Sequence, residues 1–127
     1  MMATRRVLLV DDNDDQRSLL ANALRARGWS VHIARNGKQG VDTAQRVQPE
    51  IVLTELILPD VRGLDYARSL RSMVEHDLLV IALTRVPPEL HGRALASGYD
   101  HVHRKPFNAD DLHQHMVTCA LRVQRAS

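Results

Sequence analysis

The sequence carries one cysteine, Cys119, in 127 residues. A single thiol excludes an internal disulfide framework and fits a reducing cytoplasm. Aromatic residues make up only 3% of the chain, so the stacking platforms that bind single-stranded nucleic acid are missing. Long hydrophobic runs are absent as well. The longest stretches, such as "LLVIAL", fall far short of the ~20 residues needed to cross a bilayer, so no membrane segment is expected. In "MMATRRVLLVDD" acids follow the short apolar run directly and no small-residue cleavage site intervenes, which argues against a signal peptide. Lysine is scarce: of 17 basic residues only Lys38 and Lys105 are lysines, and the rest are arginines scattered along the chain. With a net charge of +2 that scatter makes a solvated surface, not the basic stripe of a direct nucleic-acid binder.

What is present is an ordinary globular composition, 44% hydrophobic and 25% charged, of a length that suits one domain with a real core. Residues 1–127 read as that single domain, with the core over about 5–124. Short apolar runs alternate with amphipathic segments. "RVLLV" (6–10), "SVHIA" (30–34, with Val31 and Ile33 inward), "IVLTE" (51–55), "LLVIALT" (78–84) and "HVHR" (101–104) read as strands. The helices are expected over 14–28, with Leu20, Ala23, Leu24 and Arg27 on one face and Gly28 as the stop, and from Asn36 to Val47, with Val41 and Ala44 inward. Further helices are expected over 64–73 (Leu64, Ala67, Leu70 inward) and from Pro87-Pro88 to Ser97, with Gly98 as terminator. The last is capped by Asn108 and turns Leu112, Met116 and Cys119 inward. Nearly continuous apolar strands imply burial on both faces and hence a parallel sheet. Right-handed crossovers then give an α/β, doubly wound, three-layer sandwich.

In such a fold ligands bind beyond the carboxyl ends of the strands. Asp11 and Asp12 follow the first strand, Glu55 ends the third, Thr84 and Arg85 end the fourth, and Lys105-Pro106 follow the fifth. Glu55 is the conspicuous residue. A carboxylate ending a buried strand, before the Pro59 and Gly63 of "ILPDVRG", is costly unless paired, metal-bound or solvated in a cleft. Three such acids repel one another unless a cation intervenes, and a hard divalent ion with oxygen ligands, typically magnesium, is the usual remedy.

At these residues the chain resembles the receiver domain of two-component response regulators. The resemblance runs nearly the whole length, through "LLVDDN", "PEIVLTELILPDVRGLD", "VIALT" and "SGYDHVHRKPF". It implies a CheY-like (flavodoxin-like) five-stranded sheet of order 2-1-3-4-5 with five helices. It also implies that the end of strand three is the place of an aspartate that accepts a phosphoryl group from a histidine kinase. Asp12 would bind magnesium directly and Asp11 through water, and Glu55 and the backbone carbonyl of Ile57 would complete the metal set. Thr84 would hydrogen-bond the phosphoryl oxygens and Lys105 would pair with them. A flavodoxin-type cofactor binder shares the strand pattern, but "DDND" after strand one would repel a phosphate where that class needs a cradle.

Three positions depart from the family pattern. The acceptor lies four residues before the loop proline, and Pro59 places it at Glu55, a glutamate. Thr54 points to the opposite strand face and Asp60 lies past the proline, so neither substitutes directly. Arg85 stands where the family has a small residue, and could fold over the acids, block phosphodonor access or replace the metal. Val102 occupies the aromatic switch position, so the inward–outward ring toggle is missing. Glutamate is longer than aspartate by one carbon–carbon bond, about 1.5 Å, which pushes its charge toward Thr84 and Lys105.

The expectation is an atypical, phosphorylation-independent receiver, not an enzyme. It would act by binding a histidine kinase or another signalling protein, with a homodimer through the helix 4–strand 5–helix 5 face. The competing expectation is a magnesium-dependent receiver that is still phosphorylated, at Glu55 or another acid. The seven histidines show no His-x3-His spacing and no cysteine pair. They read as polar surface around strand five and the last helix, and Trp29 as packing.

Overall fold

In the computed structural model, residues 5–61 and 64–126 are described, with side chains to 121. Gly63 of the expected loop lies outside these residues. Five parallel strands, β1 (Arg6–Val10), β2 (Ser30–Ala34), β3 (Ile51–Glu55), β4 (Leu79–Thr84) and β5 (His101–Arg104), pair in the order 2-1-3-4-5. Five helices connect or follow them: α1 (Asp14–Arg25), α2 (Gly37–Val47), α3 (Tyr66–Ser72), α4 (His91–Ala96) and α5 (Ala109–Ala126).

Alternation along the strands sends successive side chains to opposite faces, and each face has its own core. Leu8, Val10, Val52, Val80 and Ala82 face α2, α3 and α4, where Ala44, Ala67, Leu70 and Ala94 meet them. Val7, Leu9, Ile51, Leu53, Ile81 and Leu83 face α1 and α5 and pack on Ala21, Leu24, Leu112, Met116 and Cys119. The register sets Leu8 beside Val52 and Val52 beside Val80. The strand ends, and with them the chemistry-bearing residues, therefore fall along one edge.

The helix termini follow the chain's own signals. Asn13, Asn36 and Asn108 each accept a backbone N–H three residues on, from Gln16, Gln39 and Asp111. Gly28 and Gly98, at φ +95° and +103°, close α1 and α4 through the same paired bonds. Trp29 N–H donates to Leu24 O and Gly28 N–H to Arg25 O; Tyr99 N–H donates to Ala94 O and Gly98 N–H to Leu95 O.

Three local expectations are corrected. The inward face of α1 is Arg17, Ala21 and Leu24, with Leu20, Ala23 and Arg27 only half-buried. The stripe is rotated because an arginine, which apolar periodicity discounts, occupies its first position. Ile33 is 44% exposed, since β2 is the sheet edge, with a neighbour on one side only. The segment after Pro87 begins as a 3-10 turn, Pro88–Leu90, before α4, and α3 begins at Tyr66, not at 64.

Candidate functional site

The strand ends converge. Asp11 is 5% exposed; its Oδ1 accepts the Asn13 N–H at 2.9 Å and its Oδ2 lies 3.5 Å from Lys105 Nζ. Glu55 Oε2 lies 2.6 Å from the same Nζ, with the Lys105 and Glu55 side chains only 12% and 15% exposed. Lys105 is placed by its backbone N–H, which donates to Thr84 O at 2.8 Å, and the Lys105–Pro106 bond is cis. Glu55 thus meets the lysine. Thr84 is buried, and its hydroxyl accepts the Val86 N–H at 3.1 Å. Asp12 is exposed at the mouth, and Ile57, 68% exposed, lies in the loop after β3. Thr54 is fully buried in register with Val10 and Ala82, so it lies on the face away from Glu55.

The electrostatics follow from this crowding. Burial pushes the Glu55 carboxyl above its ordinary value; Lys105 pulls it down without cancelling that, and the charges of Asp11 and Asp12 push it up again. Three acids against one lysine leave a site of net negative charge whose donors are carboxylate and carbonyl oxygens. That set fits a hard divalent cation, with Asp11, Asp12 and the carbonyl of Ile57 as the oxygens that would hold it.

Arg85 is exposed and lines, with Asp11, Leu20, Leu83, Lys105 and Phe107, a cavity of about 350 Å³ beside α1. None of the ion pairs among the described residues joins it to Asp11, Asp12 or Glu55. The arginine that does meet the acid loop is Arg17, which sequence reasoning passed over. It is 4% exposed and donates to Asp11 O at 2.8 Å and to Asp14 Oδ1 at 2.5 Å. Its signal was there to find: an Asp-x-x-Arg pair in the first turn of a helix that follows an acid pair. Asp60 has a task of its own. Its Oδ1 and Oδ2 accept the Gly37 and Lys38 N–H groups at 2.8 and 3.0 Å, tying the loop after β3 to the start of α2. Val102 is half-buried against the α2–α4 core.

A 2-1-3-4-5 parallel sheet with an acid pair after β1, an acid ending β3, a threonine ending β4 and a lysine directly after β5 defines a CheY-like α/β domain. Residues 7–117 match the model of the response regulator receiver domain, and the chain belongs to that family. It is 34% identical over 109 residues to the transcriptional regulatory protein TrcR of Mycobacterium tuberculosis, covering 84% of this chain and 42% of that protein. The chain spans between 27% and 46% of the length of the curated relatives considered. Among solved structures, the CheY-like receiver domain protein of Methanospirillum hungatei superposes with a TM-score of 0.89 over 98% of this chain and all of that one, at 21% identity, a likeness of fold. The receiver domain of the sensor histidine kinase PA1611 of Pseudomonas aeruginosa, with a magnesium ion coordinated in its active-site cleft, superposes at 0.77 with 28% identity, over 88% of this chain and 93% of that one. The protein is a receiver domain of two-component signalling, and among its described residues no helix is long and apolar enough to cross a membrane.

Proposed function

We propose that this receiver domain signals through protein–protein contacts without being phosphorylated. The observation that carries the reading is the buried Glu55–Lys105 pair at 2.6 Å. The side chain at the acceptor position already neutralises the lysine that would otherwise meet a phosphoryl oxygen. Glutamate supplies one negative charge and two oxygens, where a phosphoryl group supplies about two charges and three oxygens. Thr84, bonded to the following loop and not to Glu55, is left out of the imitation. Val102 offers no ring to report a change of state. On this reading the domain is not an enzyme, works in the cytoplasm, and presents its surface to a histidine kinase or another signalling protein. A homodimer through α4, β5 and α5 belongs to the same reading.

Magnesium remains compatible with it. Asp11 and Asp12, with the Ile57 carbonyl, would hold the ion, which when bound would neutralise the carboxylates and any developing charge beside them. Arg17 keeps the Asp11 backbone in place for that task.

A second reading has specific support: Asp11, Asp12, Thr84 and Lys105 are all retained and converge, which is the equipment for in-line transfer to a carboxylate. Intact-mass spectrometry after incubation with magnesium and acetyl phosphate separates the two. The expected result is no labile phosphoryl adduct on the natural protein and one on Glu55→Asp. An adduct on the natural protein overturns the proposal and requires the acceptor to be mapped.

A further inference from the structure

We propose that His101, His115 and Cys119 form a binding site for a borderline-soft divalent cation, zinc foremost, which clips α5 to β5. One ligand atom from each residue lies within 4.8 Å of the other two, and this is the group of that kind among the described residues. The site is separate from the strand-end acids in chemistry as well as place. Nitrogen and sulfur donors select zinc-like ions, whereas the oxygen set at Asp11 and Asp12 suits magnesium.

Two elements build the site. His115 and Cys119 are four apart on α5 and so share one face of the helix. His101 opens β5, and the β5 residues His101 and His103 both meet His115 of α5. Cys119 is 2% exposed while both histidines are half-buried, which leaves the imidazoles as the route of access and the thiol as the inner wall. A tetrahedral zinc ion with ordinary bond lengths holds its donors roughly 3.4–3.6 Å apart. The three donors therefore need to close by no more than about 1.4 Å, within reach of small rotations at the two half-buried imidazoles.

His103 supplies the supporting contact that metal-bound histidines usually have. Its Nδ1 lies 2.9 Å from Nδ1 of His115. One of these nitrogens must carry the proton. With it on His115, the ring donates to His103 and offers Nε2 to the ion, so one bond sets both tautomer and orientation. His101 and His115 already meet edge to face, with ring centroids 5.2 Å apart. Binding forms two metal–nitrogen bonds and one metal–sulfur bond. The Cys119 thiol becomes a thiolate and its proton goes to solvent, and the fourth position is left to water. His115-x3-Cys119 was visible in the sequence. It departs from paired-histidine or paired-cysteine spacing because the donors are of mixed type and the third comes from the neighbouring strand.

Cobalt(II) titration of the whole chain tests the site, because a thiolate ligand gives a near-ultraviolet charge-transfer band that carboxylate sites lack. The expected result is one equivalent bound with that band, displaced by zinc, and abolished in Cys119→Ser. In His101→Gln, at a half-buried position that leaves the core intact, affinity should fall at least about ten-fold. In His103→Gln the band should persist with affinity about 10- to 100-fold weaker, the signature of a positioning residue. Circular dichroism confirms that each variant is folded. Absence of the band at saturating cobalt overturns the proposal. So does binding that is unchanged in His101→Gln and lost in Asp12→Asn, which would assign the ion to the strand-end acids.

Discussion

Replacing Lys105 by methionine removes the cation that faces both Glu55 and Asp11 while keeping most of the side chain's volume. The lysine ammonium lies 2.6 Å from Glu55 Oε2 and 3.5 Å from Asp11 Oδ2. At an effective dielectric constant of about 20 the nearer contact alone is a gross attraction of roughly 6 kcal/mol. Part of that offsets the desolvation of groups that are only 12% and 15% exposed. Removing one member leaves Glu55, Asp11 and Asp12 uncompensated, and the loss expected for breaking a buried pair is about 3–5 kcal/mol. A domain of this size has about 5–15 kcal/mol in hand, so the variant should still fold. With a urea m-value near 2 kcal/mol/M the midpoint should fall by about 1.5–2.5 M. Glu55→Gln alone should cost less, because Lys105 keeps Asp11. The double variant should lose less than the sum of the single losses, with a coupling of about 1–3 kcal/mol. Millimolar magnesium should restore more stability to Lys105→Met than to the natural protein, since the Asp11 carboxylate has lost the ammonium beside it. A loss below about 1 kcal/mol, or no coupling in the cycle, would refute the reasoning, because it would mean that water and not Lys105 balances these acids.

Other consequences are open to direct measurement. An added Cβ at Gly40 would sit 2.1 Å from the Tyr66 hydroxyl oxygen, so Gly40→Ala should cost about 1–3 kcal/mol, and Tyr66→Phe in the same chain should recover part of it, read by thermal unfolding. Burial raises the Asp60 carboxyl, but the N–H groups of Gly37 and Lys38 outweigh that and hold it below its ordinary value of 3.8. Its contribution is therefore present above that value and lost as pH falls through the lowered one; Asp60→Asn should lower the neutral-pH midpoint and flatten this part of the acid limb. Arg17→Met should cost about 1.5–3 kcal/mol, because the Asp11 carbonyl loses a charged donor, and it should weaken magnesium binding measured by calorimetry.

The sheet was legible because burial on both faces leaves five near-continuous apolar strands, and the helix ends because Asn36, Asn108, Gly28 and Gly98 each specify a terminus chemically. The acids, Thr84 and Lys105 were legible because a parallel sheet brings all its strand ends to one edge whatever the helices do. What escaped was helix phase. The reading of α1 as Leu20, Ala23, Leu24 and Arg27 follows hydrophobicity, but Arg17 outcompetes an apolar residue for the first inward position by reaching Asp11 O and Asp14 together. Ile33 escaped because alternation reports which face a residue is on, not whether anything covers it at the sheet edge.

The arginine that guards the acids and the lysine that pairs with Glu55 act on different parts of the site, and the division bears on how the glutamate is tolerated. Arg17 reaches the backbone and the helix start and does not neutralise Glu55. That task falls to Lys105, whose position is fixed by its own N–H bond to Thr84 O at the end of β4. A glutamate at the end of β3 can reach that ammonium because its extra methylene spans the gap. An aspartate would stop about 1.5 Å short. The same geometry therefore accounts for two things at once. On the proposed reading, Glu55 is balanced by Lys105, and replacing it with aspartate would open a gap of about 1.5 Å between carboxylate and ammonium.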